Sequence, residues 1–490
     1  MRSPDDLLPP FLFSGGTQAE RRYVARLKRE GRIRGLGPRL FTSLPADKVD
    51  QAVKNAWSTI VVGLFPGVQV SHRTALEYVP DPDGVVFLTA STNRRATYAG
   101  LHLEFIRGPA PLDDDPEFVS SLRASSLPRA LLENLSRDAR VKHPRTLPIE
   151  AVERRLEQLL VDGGEDELNR IRDRARAIAN ELGWRAELER LDQLIGGLLG
   201  TRSASNLTGA AARARAAGEP YDPECLNRLQ LLVGELKARA LAPEPDVAGT
   251  RAHQRNKAFF EAYFSNDIEG TTFEIEEAES IVFDKQIPRE RPADAHDITG
   301  TFAIVSDPVE MRRVPASAEE LVALLRARHA AILGARTELA PGQFKTRPNR
   351  AGDTHFVRPE YVVGTLAQGH AIYIHLPPGL QRAIFMMFLI ADTHPFDDGN
   401  GRLARVMMNA EMVAADTSTI IIPTVFRDDY LNALRALTRR HRATPLVDAL
   451  AKAARFSRLD FSDYPRVLAD LQRRNWFAEP DDARIDDSAR

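Results

Sequence analysis

The sequence is short of the features that most simply reveal a protein's surroundings. A single cysteine, Cys225, stands in 490 residues, which excludes an intramolecular disulfide and suits a reducing cytoplasm. Net charge is almost absent, with 66 Lys and Arg against 68 Asp and Glu, so the chain as a whole declares no nucleic-acid or membrane partner. No apolar run reaches membrane-spanning length, and Met1-Arg-Ser-Pro-Asp-Asp6 lacks the charged-then-apolar pattern of a secretory signal. The expectation is a cytoplasmic protein without a membrane partner. His-Glu-x-x-His is absent, and no His/Cys/Asp/Glu cluster has zinc spacing. Gly196-Gly-Leu-Leu-Gly-Thr-Arg-Ser203 has the glycines of a phosphate loop without its lysine and Ser/Thr arrangement, and reads as a helix end.

What is present is concentrated in His394-Pro-Phe-Asp-Asp-Gly-Asn-Gly-Arg-Leu-Ala-Arg405. Upstream, Leu380–Asp392 is apolar nearly all round at helical length, which predicts a buried helix. Downstream, Arg402–Ala415 is rich in good helix formers and predicts a second helix. Between them, Gly399 and Gly401 permit positive φ and close backbone approach, so successive N–H groups can point into one concavity. That concavity opens on the start of the second helix, where unpaired N–H groups and the helix dipole attract anions. Arg402 and Arg405 are three apart and share one face of the first turn. Together these groups form a polyphosphate site. Asp398 is a hard oxygen ligand suited to Mg²⁺ bridging two phosphates. His394 is placed to take a proton from an incoming hydroxyl, and Phe396 to anchor the loop in the core.

The run resembles the signature of the Fic (Fic/Doc) family, His-x-Phe-x-(Asp/Glu)-Gly-Asn-Gly-Arg-x-x-Arg, and meets it at every specified position. A second segment, Ser265-Asn-Asp-Ile-Glu-Gly270, fits the (Ser/Thr)-x-x-x-Glu-(Gly/Asn) pattern of autoinhibited members, whose inhibitory helix here precedes the core. It also reads as a helix end with Gly270 just past the cap, and the two readings are compatible. The resemblance covers about Gly249–Pro480. It implies a mainly α fold, a Fic-type helical core with a β-hairpin flap.

The implied activity is transfer of AMP from ATP to a Ser, Thr or Tyr hydroxyl of a target protein, with Mg²⁺ held by Asp398. In that scheme His394 deprotonates the acceptor. Asn400 and the amides of Gly399 and Gly401 bind phosphate oxygens, and Arg402 supports the phosphates. Arg405 takes the γ-phosphate once Glu269 withdraws. Ser265, Glu269 and Gly270 form the inhibitory set, with Glu269 pairing to Arg405 and repelling triphosphate oxygens. Tyr430 and Asn432 fall where relatives line the adenine pocket. The flap, from Gly342–Asn349 through Thr354–Pro359, would hold the target by strand addition through Thr354, His355, Phe356 and Val357. Relatives often carry arginine where Lys345 stands. Some relatives transfer other phosphate-containing groups or remove AMP. Self-modification and homo-oligomerisation stay open.

The length predicts two to four domains. In order these are an α+β winged-helix-like region (1–110), a helical region (111–240), a linker with two prolines (241–252), the Fic domain (253–480) and a flexible tail (481–490). Thr17–Glu20 has capping-box spacing. The helix behind it should run to about Glu30, followed by a glycine-broken strand pair over Arg32–Thr42. A second helix is expected over Pro45–Leu64, and paired strands at Val85–Thr89 and Leu101–Arg107. Further helices are expected at Ile149–Val161, Asp166–Leu182 and Trp184–Leu199, with Arg202–Pro220 an exposed connection. Eight basic residues between Arg21 and Arg39 suit either a DNA-contacting wing or a solvated face. The segment Arg21–Leu76 is similar to the N-terminal part of AbiEi-type antitoxin regulators, through the basic wing and Ser71-His-Arg-Thr-Ala-Leu76. Two other classes therefore stay open, a DNA-binding regulator with a nucleotide-sensing part and a fused toxin-and-restraint pair.

Overall fold

The computed structural model describes residues 8–15, 17–139, 142–241, 245–247 and 249–485. Residues 242–244 and 248 of the predicted linker, and 486–490 of the predicted tail, lie outside the described residues. The chain separates into two compact units, Met1–Ala216 and Ala217–Arg490.

The first unit opens with β1 (Phe11–Phe13), helix α1 (Gln18–Arg29), β2 (Arg34–Gly37) and β3 (Leu40–Thr42). Thr17 caps α1 reciprocally, as its spacing predicts. Its Oγ1 accepts from Glu20 N at 3.3 Å, and the Glu20 carboxylate accepts from Thr17 N at 3.0 Å. The strands form an antiparallel sheet of order β1-β3-β2. Only α1 separates β1 from the β2–β3 wing. Helix α1 buries Val24 and Leu27 alone, which leaves Arg21, Arg22, Arg26, Lys28 and Arg29 exposed.

A second sheet contains β4 (Gln69–Val70), β5 (Val85–Ala90), β6 (Arg94–Tyr98), β7 (Leu101–Arg107), β8 (Glu117–Val119) and β9 (Leu122–Ala124), in the order β6-β7-β5-β4-β9-β8. Strands β5 and β7 are paired as expected, but in parallel, because the intervening β6 reverses the chain and pairs antiparallel to β7. The helix expected over 45–64 breaks at Ala56 (φ −96, ψ 16) into Val49–Asn55 and Trp57–Leu64. Its Val49, Val53, Trp57, Ile60 and Val61 nevertheless enter one core with the sheet. The two helices expected over 149–161 and 166–182 are present and meet at Gly164, whose φ of 71 and ψ of −173 break the helix between them. A short helix, Ala210–Ala216, stands in the stretch expected to be an open connection.

In the second unit the Pro223–Lys237 helix buries Cys225, Leu229, Leu232 and Leu236. The boundary between units thus falls inside the stretch expected to be one helical region. The helices that position the site are α2 (Arg251–Ile268), α3 (Pro292–Val305), α4 (Ala318–Ile332), α5 (Leu380–Thr393), α6 (Asn400–Ala414) and α7 (Arg427–Arg440). Helix α5 is buried from Ala383 to Ile390, as its apolar pattern demands. Helix α6 starts at Asn400, two residues before its expected start, with Gly399 in the left-handed conformation as its cap (φ 74). Strands β10 (Arg350–Ala351) and β11 (Thr354–His355) form an antiparallel hairpin. Gly342–Asn349, expected to be its first strand, is irregular. Its polar groups are spent elsewhere: Lys345 N donates to Pro395 O at 2.9 Å and Asn349 Nδ2 to Phe396 O at 3.0 Å. Among the described residues no helix is long and apolar enough to cross a membrane.

Candidate active site

The predicted residues converge where α5 passes into α6. Helix α5 ends on His394 in the left-handed conformation (φ 50, ψ 60), which turns the imidazole off the helix. Its Nδ1 faces the Ala391 carbonyl at 3.4 Å; a proton there leaves Nε2 as the free acceptor. The ring stacks flat on Phe356, centroids 3.7 Å apart at 5°. Burial, reinforced by the nearby Lys345 ammonium, pulls the imidazole pKa down to about 4. At neutral pH His394 is therefore uncharged, the form a general base requires.

The loop behind it is braced from within. Phe396 is fully buried, stacked on His329 at 3.8 Å and against Phe344 at 5.1 Å. Asn400 Oδ1 accepts from Phe396 N at 2.9 Å while its Nδ2 donates to Phe396 O at 2.8 Å. Asn400 thereby closes the loop, with one Nδ2 hydrogen left over. Gly399 needs to be glycine twice over: its φ is 74, and a Cβ would lie 2.6 Å from Leu333 Cδ1. The half-exposed Asp398 carboxylate accepts from Gly399 N at 2.7 Å through one oxygen. Its other oxygen lies 3.8 Å from Arg402.

The two signature arginines part company. Arg402 Nη1 donates to buried Asp297 at 2.6 Å and to Asn266 at 3.3 Å. It ties α6 to α3 and α2 and does not line the cavity described below. Arg405 lines it. Its Nε donates to Ser265 Oγ at 2.9 Å, and its Nη2 to Ser265 O at 2.8 Å and Glu269 Oε1 at 2.7 Å. Burial alone would lower the Arg405 pKa, but Glu269 and Tyr430 together outweigh it and the net shift is upward. Glu269 caps the C-terminus of α2 (φ −89, ψ 7), and Gly270 follows at φ 82. One residue thus serves as helix end and as arginine partner. The carboxylate also sits against the start of α6, where a Cβ on Gly401 would lie 2.0 Å from Glu269 Oε1.

A cavity of about 820 Å³ collects His394, Gly401, Arg405, Glu269, Phe356 and Tyr430 on its walls. Tyr430 is buried, with its hydroxyl 3.5 Å from Met387 Sδ, and Asn432 stands exposed at the rim. Of the expected flap contacts, Thr354 is turned inward, where its Oγ1 accepts from Arg439 Nε at 2.7 Å. His355 is exposed and Phe356 covers His394. Val357 is packed into the hydrophobic core at 1% exposure and cannot touch a target, which corrects its assignment. Sequence reasoning missed Asp297 and the arginines at the end of α7. Asp297 carries no local signal, whereas Arg435 and Arg439 had a visible i,i+4 spacing.

Residues 320–412 match the Fic/DOC family model. It is 30% identical over 111 residues to the protein adenylyltransferase fic-1 of Caenorhabditis briggsae, covering 22% of each chain. With the protein adenylyltransferase Fic of Drosophila yakuba it shares 24% identity over 248 residues, 48% of each. The chain therefore spans about half or less of the curated relatives it matches. Among solved structures, a segment of Fic-1 from C. elegans aligns over 66% of this chain and 97% of that one, at 18% identity and a TM-score of 0.38.

Proposed function

We propose that the chain is a protein adenylyltransferase that restrains itself through Glu269. The observation that carries this reading is one cavity holding a neutral His394, the glycine-lined start of α6 and Arg405, with the Glu269 carboxylate lodged among them. An anion already occupies the place best built for one. ATP phosphates would compete with Glu269 for Arg405 and the α6 amides. With Glu269 displaced, the α-phosphate faces the target hydroxyl.

The hydroxyl oxygen bonds to the α-phosphorus, the bond to the bridging oxygen breaks, and pyrophosphate departs with that electron pair. His394 Nε2 takes the hydroxyl proton. The Phe356 stack and the Phe396–Asn400 brace hold the imidazole and loop in register. Positioning of this kind is a large share of phosphoryl-type catalysis. The Asp398 carboxylate keeps one oxygen turned away from its Gly399 contact and fits Mg²⁺, which would offset phosphate charge. Asn432 and the Tyr430 ring are placed to border the adenine.

Intact mass after incubation with ATP and Mg²⁺ tests the reading, with wild type, Glu269→Gly and Glu269→Gly/His394→Ala compared. Added AMP should be weak in wild type, strong in the single variant and absent in the double. If none gains mass and α-labelled ATP also leaves a lysate unlabelled, AMP transfer is wrong. A second reading, DNA contact by the first unit, rests on the exposed basic face of α1. It expects a salt-sensitive gel shift that Arg22→Ala/Arg26→Ala removes.

A further inference from the structure

The hairpin and the end of α7 form one surface. Arg439 Nε donates to Thr354 Oγ1 at 2.7 Å and its Nη2 to Ala351 O at 3.3 Å. Around this tie the exposed charges are almost all positive: Arg347 and Arg350 on the hairpin side, Arg435, Arg439, Arg440 and Arg442 on the α7 side. The exposed carboxylates on these elements are Asp353 at the turn, Glu360 further along the chain, and Asp428 and Asp429 in the first turn of α7, at its other end. Glu360 is already within 3.3 Å of Arg358. Among the described residues, none of those six arginines has a carboxylate within ion-pair distance. Exposed arginines elsewhere in the unit occur both ways. Arg312 meets Asp416 and Arg313 meets Glu310 at 2.7 Å, while Arg251, Arg289, Arg455 and Arg466 stand scattered without a carboxylate partner. What sets this surface apart is that six lie together. Six unpaired guanidiniums in a chain of net charge −2 call for a counter-charge from outside.

The hairpin says what form that partner takes. It is a two-stranded sheet with open edges, and an open edge offers backbone pairing to an extended chain. In its register Arg350 stands opposite His355 and Ala351 opposite Thr354. Thr354 faces the cavity side through Arg439, so Arg350 and His355 occupy the other face. An added strand would present alternate side chains to the two faces. Those aligned with Thr354 would meet the cavity and His394, and their immediate neighbours would meet Arg350. Single-stranded nucleic acid fits less well. The rings bordering this surface are already committed, Phe356 to its stack on His394 and Tyr430 to burial, which leaves bases none to stack on.

We infer that the hairpin and the end of α7 dock an extended, acidic polypeptide segment, with Asp or Glu flanking the acceptor hydroxyl. This rests on the adenylyltransferase reading for the identity of the acceptor, but docking itself is measured separately. Fluorescent peptides, Thr-centred with acidic, neutral or basic flanks, are titrated by anisotropy against the full chain. AMP transfer to the same peptides, and to Ser and Tyr versions of them, is followed by mass with the Glu269→Gly protein. The acidic peptide should bind at least tenfold more tightly than the neutral one and weaken with salt. Arg350→Glu/Arg440→Glu should erase that preference, and Arg350→Lys/Arg440→Lys should keep it. Acidic preference without AMP transfer to Thr, Ser or Tyr peptides, and with the labelled lysate also blank, would uphold the docking surface and defeat the enzymatic reading. Transfer without preference would do the reverse. The inference is also overturned if a non-hydrolysable ATP analogue displaces the acidic peptide, which would place it on Arg405. Tighter binding of a single-stranded oligonucleotide of equal charge would overturn it as well.

Discussion

Arg129 in the first unit and Arg405 in the second are both buried guanidiniums, but the carboxylates that face them differ. Arg129 donates to Asp115 at 2.5 Å and Glu133 at 3.1 Å, and its remaining N–H groups reach the carbonyls of Pro109 and Ala110. Asp115 and Glu133 are themselves buried, at 1% and 4% exposure. Glu133 also accepts from His72 N and Ser125 Oγ. Both carboxylates are thus buried on every side that a water could use to replace the arginine, whereas the carbonyl partners lie nearer the surface. Arg405 has two fixed partners on Ser265 and one on Glu269, whose side chain is 27% exposed and lies at a helix end. A buried charge with enclosed partners is a brace, and one whose counter-charge reaches solvent is open to exchange.

The contrast is broken most directly at Arg129. Arg129→Met strands two buried carboxylates and should cost roughly 3–5 kcal/mol of stability, read by urea unfolding of the full chain. AMP transfer per folded molecule in the Glu269→Gly background should not change. Next in size, Arg405→Ala in that background should slow transfer by roughly 10²–10³-fold, with a smaller shift in unfolding midpoint than Arg129→Met causes. Equal destabilisation by the two substitutions would end the distinction.

Two pH measurements sharpen it. Because His394 sits at about 4, the acid limb of kcat/KM for Glu269→Gly should lie near that value and not near 6.5. Lys345 helps hold the imidazole down, so Lys345→Met should move the limb upward. The smallest effect concerns α2 itself. Burial raises Glu261 to about 7 from an ordinary 4.5, so the folded chain holds a proton that the unfolded chain has released. The stability this gives is full below about pH 4.5 and declines as pH rises through 7. Glu261→Gln should flatten that decline in a series of urea titrations.

The signature was legible because its requirements are local: a turn, a helix start and a histidine lie within twelve consecutive residues. The Glu269–Arg405 contact, 136 residues apart in sequence, was legible only through the resemblance. The Thr17 cap was readable from spacing alone. For Arg402 and Asn400, spacing tells which helix face the group occupies and not which partner it finds. Asp297 sits in a helix of unremarkable composition and takes Arg402 away from the cavity. Strand β6, Arg-Arg-Ala-Thr-Tyr, buries only its last residue and therefore lacks the alternation that marks a half-buried strand. Without it the direction of the β5–β7 pairing was out of reach.

The bare backbone at Gly401 has a consequence for dosage. It leaves room for a single carboxylate, and that carboxylate is tethered to the same chain. A tethered occupant has a local concentration set by covalent geometry, unchanged by how many copies of the protein a cell makes. Any phosphate that claims the place must exceed that built-in threshold. The protein would then answer to nucleotide abundance and be indifferent to its own, which a separate, dissociable inhibitor cannot achieve.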